Sequence, residues 1–278
     1  MIMSTDQKVY HQYHLVNPSP WPIIACFSTF VLVIGAVMMM HKQVTYGAAL
    51  FFIGVVAVVY TAYVWWQDVI REGREDKAHT SVVRRGLSIG MILFIISELM
   101  FFGAFFSSFF KASLDPAAIL NGEVWPVKAG TWPPQGIKSL YPWNIPFLNT
   151  LILLLSGSTV TWAHYALLEN KQKEVANALA VTVILGLCFT CLQGYEYYHA
   201  EFKWTDGIYA SNFYMATGFH GAHVLIGTIF LFICYLRASA GHFAKGRGHL
   251  GFEFAAWYWH FVDVVWLFLF VFVYVWGR

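Results

Sequence analysis

Seven long apolar stretches follow one another along the chain, and a polar stretch separates each from the next. They cover residues 21–40, 46–66, 86–110, 146–168, 175–198, 213–237 and 251–278. A helix needs about 20 mostly apolar residues to cross the hydrocarbon core of a bilayer. The pattern therefore predicts an all-α, polytopic membrane protein with seven transmembrane helices.

The polar segments between these stretches predict how the chain is organised. Residues 1–20 contain no apolar run of the signal-peptide type and are expected to form an N-terminal cytoplasmic segment. Residues 67–85 form the most charged segment and are expected to be an inner loop with extended helix ends, whereas 111–145 form a long outer loop rich in Pro and Trp. Ionisable residues are concentrated after residue 85, so we expect two helices within 21–66 and a five-helix bundle within 86–278.

The distribution of Lys and Arg predicts the orientation of the chain in the membrane. Seven spans place the two termini on opposite sides, and cytoplasmic loops carry an excess of Lys and Arg. If the N-terminus is inside, 11 of the 17 Lys and Arg residues lie on the inner side. We therefore expect a cytoplasmic (or matrix) N-terminus and a C-terminus on the opposite, periplasmic side.

Composition supports a membrane protein and excludes several other classes. Hydrophobic residues make up 58% of the chain and charged residues 12%, whereas soluble domains carry about 25% charged residues. The net charge of +2 is too small to indicate nucleic-acid binding. The cysteines lie in apolar runs and are expected to be small buried residues without disulfides: Cys26, Cys188, Cys191 and Cys234.

Ionisable residues inside the apolar stretches require a reason, because they are costly in lipid. His220 and His223 are three residues apart and share a helix face. They could ligate a metal if Glu196, His260 and Asp263 lie at the same depth. Alternatively, these residues form hydrogen bonds between helices, each worth roughly 1 kcal/mol. The glycines beside the two histidines favour interhelical packing.

Glu98 lies about 12 residues from either end of its apolar stretch, which places it near the bilayer midplane. An ionised acid at this depth costs several kcal/mol, so the sequence predicts a protonated carboxyl group. Two roles remain open. Glu98 could relay protons, although its sequence neighbours are apolar, or it could form a hydrogen bond to a neighbouring helix.

A further set of residues is expected at the inner membrane surface. It combines aromatic, cationic and other polar side chains: Trp65, Trp66, Arg71, Glu72, His79, Arg84 and Arg237. Such a set suits an anionic phospholipid headgroup. Ordinary interfacial anchoring together with the excess of inner positive charge explains it equally well.

Several segments resemble cytochrome c oxidase subunit III, and together they run from one end of the chain to the other. They are the motif that begins at His11, PWPI at 20–23, SELMFFGAFF at 97–106, QGYEY at 193–197, FHGAHVLIG at 219–227 and GFEFAAWYWHFVDVVWLFLF at 251–270. The last block is too long to match by chance. The resemblance implies two helices and then five, with a cleft that holds phospholipid.

The resemblance also implies a non-catalytic core subunit of an oxidase that passes electrons from cytochrome c to dioxygen. Haem and copper would lie in the partner subunits I and II, and none in this chain, so His220, His223, His260, Asp263 and Glu196 would serve interhelical packing. The chain would support proton uptake into subunit I and protect it from inactivation during turnover. The lipid-contact positions would be Trp65, Trp66, Arg71, Glu72, His79, Arg237, His242 and His249.

Alternatives remain for the role of the chain and for its source. Glu98 matches the family's reactive membrane carboxylate, and a proton channel or transporter that uses it is the main alternative function. A quinol oxidase subunit III is another, although that relative usually lacks the first two helices. The polar N-terminus and the 111–145 loop favour a bacterial inner membrane over a mitochondrial one.

Overall fold

Seven membrane-length helices make up most of the computed structural model, which describes residues 12–41, 44–74, 78–116, 132–134, 136–243 and 249–278. The helices are α1 (Trp21–Met40), α2 (Val44–Arg74), α3 (Ser81–Leu114), α4 (Ile145–Leu168), α5 (Gln172–His199), α6 (Ile208–Ser239) and α7 (Leu250–Phe268), which continues as a π-helix (Leu269–Trp276). Each is long and apolar enough to cross a membrane. The predicted all-α, seven-span architecture is confirmed, and no strand occurs within the described residues.

Helices extend beyond the limits of the apolar stretches that predicted them. α2 continues to Arg74 and α3 begins at Ser81, so much of the predicted 67–85 loop is helical. Backbone hydrogen bonding continues past the membrane edge, and basic residues in the last turn stabilise a helix by interacting favourably with its dipole. Arg71 also lies 3.7 Å from Asp68, one turn earlier. Parts of the predicted terminal segment and loops lie outside the described residues: 1–11, 75–77, 117–131 and 135.

Residues 1–87 form the smaller of two compact units, in which α1 packs along α2. Glycines allow the two backbones to approach closely. A Cβ atom at Gly35 would collide with the backbone of Phe51, and one at Gly54 would lie 2.5 Å from Leu32 Cα. Small residues at such crossings are typical of transmembrane helix pairs, because association there depends on close packing.

Substituting Gly54 with leucine is expected to separate α1 from α2 locally. The new side chain has no room beside Leu32, and overpacking costs about 1–3 kcal/mol. Thermal unfolding of the purified protein in detergent measures the effect. Gly90→Leu is the control, because a Cβ atom there meets nothing within 4 Å. Equal stability of the two variants would contradict close packing at Gly54.

Residues 88–278 form the larger unit, and tryptophans from α7 fill its centre. Trp259 and Trp266 are both fully buried. The indole nitrogens of both donate to hydroxyl groups of α4, from Trp259 to Ser156 Oγ and from Trp266 to Thr150 Oγ1, each at 2.9 Å. The two tryptophans therefore fix α7 against α4 both by packing and by hydrogen bonds.

The cysteines are not placed as the sequence suggested. Cys234 is buried, whereas Cys26, Cys188 and Cys191 are exposed on the surface of the chain. The prediction of four buried cysteines is therefore wrong. In a membrane, a small apolar side chain gains little by moving from lipid into the protein, because both surroundings are apolar. An apolar run therefore does not indicate which of its residues face inward.

Candidate functional site

Glu98 of α3 and His223 of α6 form a close polar pair in the larger unit. Glu98 Oε2 lies 2.8 Å from His223 Nε2. Each residue is near the middle of its helix, so the pair lies near the centre of the membrane. The side chains are 22% and 11% exposed, respectively. The hydrogen bond to a neighbouring helix that the sequence suggested for Glu98 is present, and its partner is His223.

The hydrogen bonds of His223 determine how many protons the pair holds. His223 Nδ1 lies 2.6 Å from the carbonyl oxygen of Phe219. A carbonyl oxygen only accepts, so Nδ1 carries a hydrogen. One more proton then lies between Nε2 and Glu98 Oε2, which makes the pair either imidazolium and carboxylate or imidazole and carboxylic acid. Both forms have no net charge, which suits a site in the hydrocarbon core.

Aromatic rings surround the pair. The Phe102 ring centroid lies 4.9 Å from that of His223, and the rings of Phe101 and Tyr258 also contact the imidazole. Such surroundings restrict water, and a low local dielectric strengthens the hydrogen bond between the two groups. Chemically, the pair can hold one proton and move it between two atoms.

His220 forms its hydrogen bond with α7, whereas His223 forms one with α3. His220 Nε2 donates to the carbonyl oxygen of Val262 at 3.1 Å, and the buried ring contacts Phe189 and Trp266. The two histidines whose spacing suggested metal ligands therefore form hydrogen bonds with different helices. Within the described residues, no three His, Cys, Asp or Glu side chains converge in a way that could hold a metal ion.

Glu196 lies in a second buried polar group that joins α5 to the π-helix. Its Oε1 accepts hydrogen bonds from Tyr274 Oη at 2.6 Å and from Gln193 Nε2 at 3.1 Å. The residue is only 3% exposed. The sequence identified Glu196 but not Tyr274, because nothing in an aromatic-rich terminal stretch distinguishes this tyrosine from its neighbours.

His260 and Asp263 lie on the side of α7 that faces α4. His260 Nε2 is 3.4 Å from Thr161 Oγ1, and Asp263 packs against the backbone at Gly157, where a Cβ atom would collide with its Oδ2. Asp263 is buried, whereas His260 is exposed. Neither Thr161 nor Gly157 was identified from the sequence, since both are ordinary residues of a transmembrane helix.

The first five predicted lipid-contact residues lie in the smaller unit, at the end of α2 and just after it. Trp66 is 64% exposed, Trp65 is 38% exposed, and the Arg71 side chain is also exposed. Arg71 pairs with Asp68, which accepts a hydrogen bond at 2.7 Å from the indole nitrogen of Trp21. Sequence reasoning missed Asp68 and Trp21, although both lie at the predicted membrane edge.

His79 follows α2 and packs against Gly73, where its Nδ1 would lie 2.7 Å from a Cβ atom. Burial lowers the pKa of the His79 imidazole below its ordinary value. The Glu72 carboxylate partly offsets this effect, whereas His14 and Arg84 add to it. His79 is therefore mainly neutral in the folded chain near neutral pH.

Stability of the segment around His79 is expected to fall on acidification. A histidine whose folded pKa is depressed binds its proton more readily when unfolded, so the folded form loses stability as the pH falls below about 6.5. The His79→Gln variant should show a weaker loss. The pH dependence of proteolysis at residues 78–80 measures the effect, with His41→Gln as an exposed control. Identical pH profiles for wild type and His79→Gln would contradict this assignment.

The other three predicted lipid-contact residues belong to the larger unit. The Arg237 guanidinium lies 5.0 Å from the Phe243 ring centroid and close to Gly251. The backbone N–H of His242 donates to the Arg237 carbonyl oxygen at 2.9 Å. His249 Nδ1 is 2.7 Å from Glu253 Oε1, at an angle unfavourable for a hydrogen bond. These residues therefore gather where α6 ends and α7 begins.

Comparisons with known proteins find related sequences that match almost the whole of this chain. A sequence model of the family described as "Cytochrome c oxidase subunit III" matches residues 11–278. A "Probable cytochrome c oxidase subunit 3" of Rickettsia bellii is 62% identical over 268 residues, which cover 96% of each chain. A "Cytochrome c oxidase subunit 3" of Arabidopsis thaliana is 55% identical over 96% of this chain and 97% of its own. The one from Marchantia polymorpha is 54% identical over 99% of both. The chain belongs to the cytochrome c oxidase subunit III family.

Proposed function

We propose that this chain is a non-catalytic core subunit of cytochrome c oxidase in aerobic respiration. It assembles with subunits I and II, which hold haem and copper, transfer electrons from cytochrome c to dioxygen and pump protons. The observation that carries the proposal is the family match over nearly the whole chain. The use of His220 and His223 in hydrogen bonds within the helix bundle supports a packing role for them.

The chain also holds phospholipid at its inner surface. Two groups of side chains support this role: Trp65, Trp66, Arg71, Glu72 and His79 near the end of α2, and Arg237, His242 and His249 between α6 and α7. Exposed Trp and Arg side chains at a membrane edge provide an apolar contact and a positive charge for the same headgroup.

Replacing Arg71 or Arg237 with alanine is expected to reduce the phospholipid that copurifies with the complex. Each variant removes a cation worth about 1 kcal/mol near an anionic headgroup, so roughly a fivefold weaker retention is expected. Lipid phosphorus per haem in the purified complex measures it. Lys111→Ala is the control. Lys111 is an exposed cation in the last turn of α3, which lies at the outer membrane surface and not at the inner surface of the proposed lipid site. Unchanged lipid content in both Arg variants would contradict the proposed site.

Bound lipid and the Glu98–His223 pair together support subunit I. We propose that they aid proton uptake and protect subunit I from inactivation during turnover. The complex with Arg71→Ala or Arg237→Ala should therefore lose activity after fewer turnovers than the wild type. An unchanged catalytic lifetime in a variant that has lost its lipid would separate lipid binding from protection and overturn the protective role.

A proton channel that uses Glu98 is the second candidate function. The one-proton pair with His223 favours it, because such a pair can accept a proton at one atom and release it at another. Proton flux through liposomes that contain only this chain would support it, provided that Glu98→Gln abolishes the flux. The names of the relatives favour the cytochrome c enzyme over a quinol oxidase.

We place the chain in a bacterial inner membrane, with a cytoplasmic N-terminus and a periplasmic C-terminus. The excess of Lys and Arg on the N-terminal side supports this orientation. Impermeant thiol reagents applied to intact cells test it: a cysteine in place of Lys203 should react and one in place of Lys171 should not. Reaction at position 171 and not at position 203 would show that the orientation is the reverse of the proposed one.

A further inference from the structure

A buried polar cluster joins α5 to the π-helix that ends the larger unit. It consists of Gln193 and Glu196 on α5 and Tyr274 on the π-helix, and we call these three residues the α5–π cluster. Gln193 and Glu196 are three residues apart, so they share a face of α5. None of the three side chains is more than 4% exposed. The cluster is therefore enclosed by the chain itself.

The hydrogen bonds within the α5–π cluster use all of its donors. Tyr274 Oη donates its single hydrogen to Glu196 Oε1 at 2.6 Å. The amide nitrogen Nε2 of Gln193 has two hydrogens, and it donates to Glu196 Oε1 at 3.1 Å and to Tyr274 Oη at 3.4 Å. The opposite orientation of this amide would place its oxygen against two acceptors. These contacts therefore leave no hydrogen in the cluster for a further bond when Glu196 is ionised.

Two oxygens of the cluster remain without a donor. They are Gln193 Oε1 and Glu196 Oε2, which are both buried and have no hydrogen-bond partner among the described residues. Each is bonded to the same carbon as one atom of the 3.1 Å hydrogen bond between the two side chains, so both oxygens lie beside that contact. Leaving a buried acceptor unpaired is costly. Two such acceptors beside one contact point to a shared donor.

Asn149 of α4 lies at the same depth as the α5–π cluster. The hydroxyl oxygens of Thr159 and Thr182 are 2.8 Å apart, which sets the register of α4 against the antiparallel α5. Counted from these two threonines at 1.5 Å per residue, Asn149 and Gln193 differ in height by only about 2 Å. Asn149 is fully buried, and neither its amide nitrogen nor its amide oxygen has a partner among the described residues. A third side chain at this depth therefore has hydrogen-bonding capacity to spare.

We propose that the α5–π cluster binds one internal water molecule, which bridges Gln193 Oε1 and Glu196 Oε2. Because the cluster is enclosed, neither a lipid nor a side chain of another polypeptide reaches it. A water molecule is small enough, and buried waters typically make about three hydrogen bonds. This one donates to both oxygens, and its own oxygen is free to accept from an amide such as that of Asn149. A protonated Glu196 is also accommodated, since its hydroxyl donates to the water, which still donates to Gln193. The bridge fixes the π-helix against α5.

Electron cryo-microscopy tests this site in the intact complex, isolated through a tag on this chain, at a resolution that shows ordered water. We expect an isolated density peak at about 2.6–3.2 Å from both Gln193 Oε1 and Glu196 Oε2. His220 Nδ1 is the control within the same map. It is also buried and without a partner among the described residues, but its ring contacts those of Phe189 and Trp266. No peak is expected there, because a buried water needs at least two polar partners.

Four results of this experiment would overturn the inference. The first is a distance of about 2.7 Å between Gln193 Oε1 and Glu196 Oε2, which would indicate a direct hydrogen bond from a protonated carboxyl group. The second is a map without density between the two oxygens. The third is a peak at about 2.0–2.6 Å from four or more oxygens, which would indicate a metal cation. The fourth is an equally strong peak beside His220 Nδ1, which would contradict the argument that paired acceptors hold the water.

A substitution at Gln193 provides an independent measurement. Gln193→Met keeps a side chain of similar length but removes the amide group, so the map of this variant should lose the peak. Thr190→Val is the control and should keep it, since Thr190 lies one turn earlier on α5 and its hydroxyl donates to the carbonyl oxygen of Gly186, in the same helix. An undiminished peak in Gln193→Met would show that Gln193 does not hold the water. The wild-type map decides the proposal even if this variant fails to assemble.

Discussion

Replacing Trp259 with alanine is expected to destabilise the larger unit more than any other single substitution considered. Trp259 is fully buried, and its ring occupies space left by Gly186 and Gly227, where Cβ atoms would lie 2.8 and 2.9 Å from it. Its indole nitrogen donates to Ser156 Oγ. The side chain thus joins α4, α5, α6 and α7. Truncation of a buried tryptophan costs about 3–5 kcal/mol.

Unfolding of the purified protein in detergent, followed by circular dichroism, measures this effect. Trp257→Ala is the matched control, because Trp257 lies two residues away on α7 and is 37% exposed. Its loss should cost less than about 1 kcal/mol, since it leaves no enclosed cavity. If both variants unfold under the same conditions, Trp259 does not hold the four helices together.

The second large effect is expected when one member of the Glu98–His223 pair is removed. His223→Phe leaves the Glu98 carboxyl without its hydrogen-bond partner near the middle of the membrane, where an unpaired polar group costs about 1–3 kcal/mol. Glu98→Gln leaves His223 with a neutral partner and a weaker hydrogen bond. The double variant Glu98→Gln/His223→Phe removes both titratable groups, so it should be less destabilised than the two single effects predict together.

A double-mutant cycle on unfolding stability measures the coupling between these two residues. We expect a coupling free energy of about 1–3 kcal/mol, the range for residues in direct contact. A cycle with Glu98→Gln and His220→Phe is the control, because His220 bonds to Val262 and not to Glu98. Strictly additive effects of Glu98→Gln and His223→Phe would show that the pair does not act as a unit.

Hydropathy predicted the helices well but not where they end. The span that ends at Met40 coincided with its helix because His41 and the residues after it are polar. The helix that was expected to end at Trp66 continues to Arg74, since charged residues are compatible with helix outside the membrane. Near the C-terminus, the change from α-helix to π-helix at Leu269 could not be predicted, because the sequence there is uniformly apolar.

The sequence identified the ionisable residues of the site but not their partners. His220 and His223 share a helix face, yet His220 is bonded to α7 and His223 to α3. Spacing along one helix cannot show which neighbour each side chain meets. In a membrane protein the outward and inward faces are both apolar, so hydrophobic periodicity does not show how neighbouring helices face each other. Glu98 and His223 are 125 positions apart in the sequence, so only the three-dimensional structure shows that they form a pair.

The central claim is that this chain is a non-catalytic subunit of an oxidase whose pigments lie in its partners. Absorption spectroscopy tests it most directly, first on the complex isolated in mild detergent through a tag on this chain and then on the chain separated from its partners. We predict haem and copper absorption in the complex and none in the separated chain. A stoichiometric Soret band in the separated chain, or the absence of any haem protein from the complex, would contradict the claim.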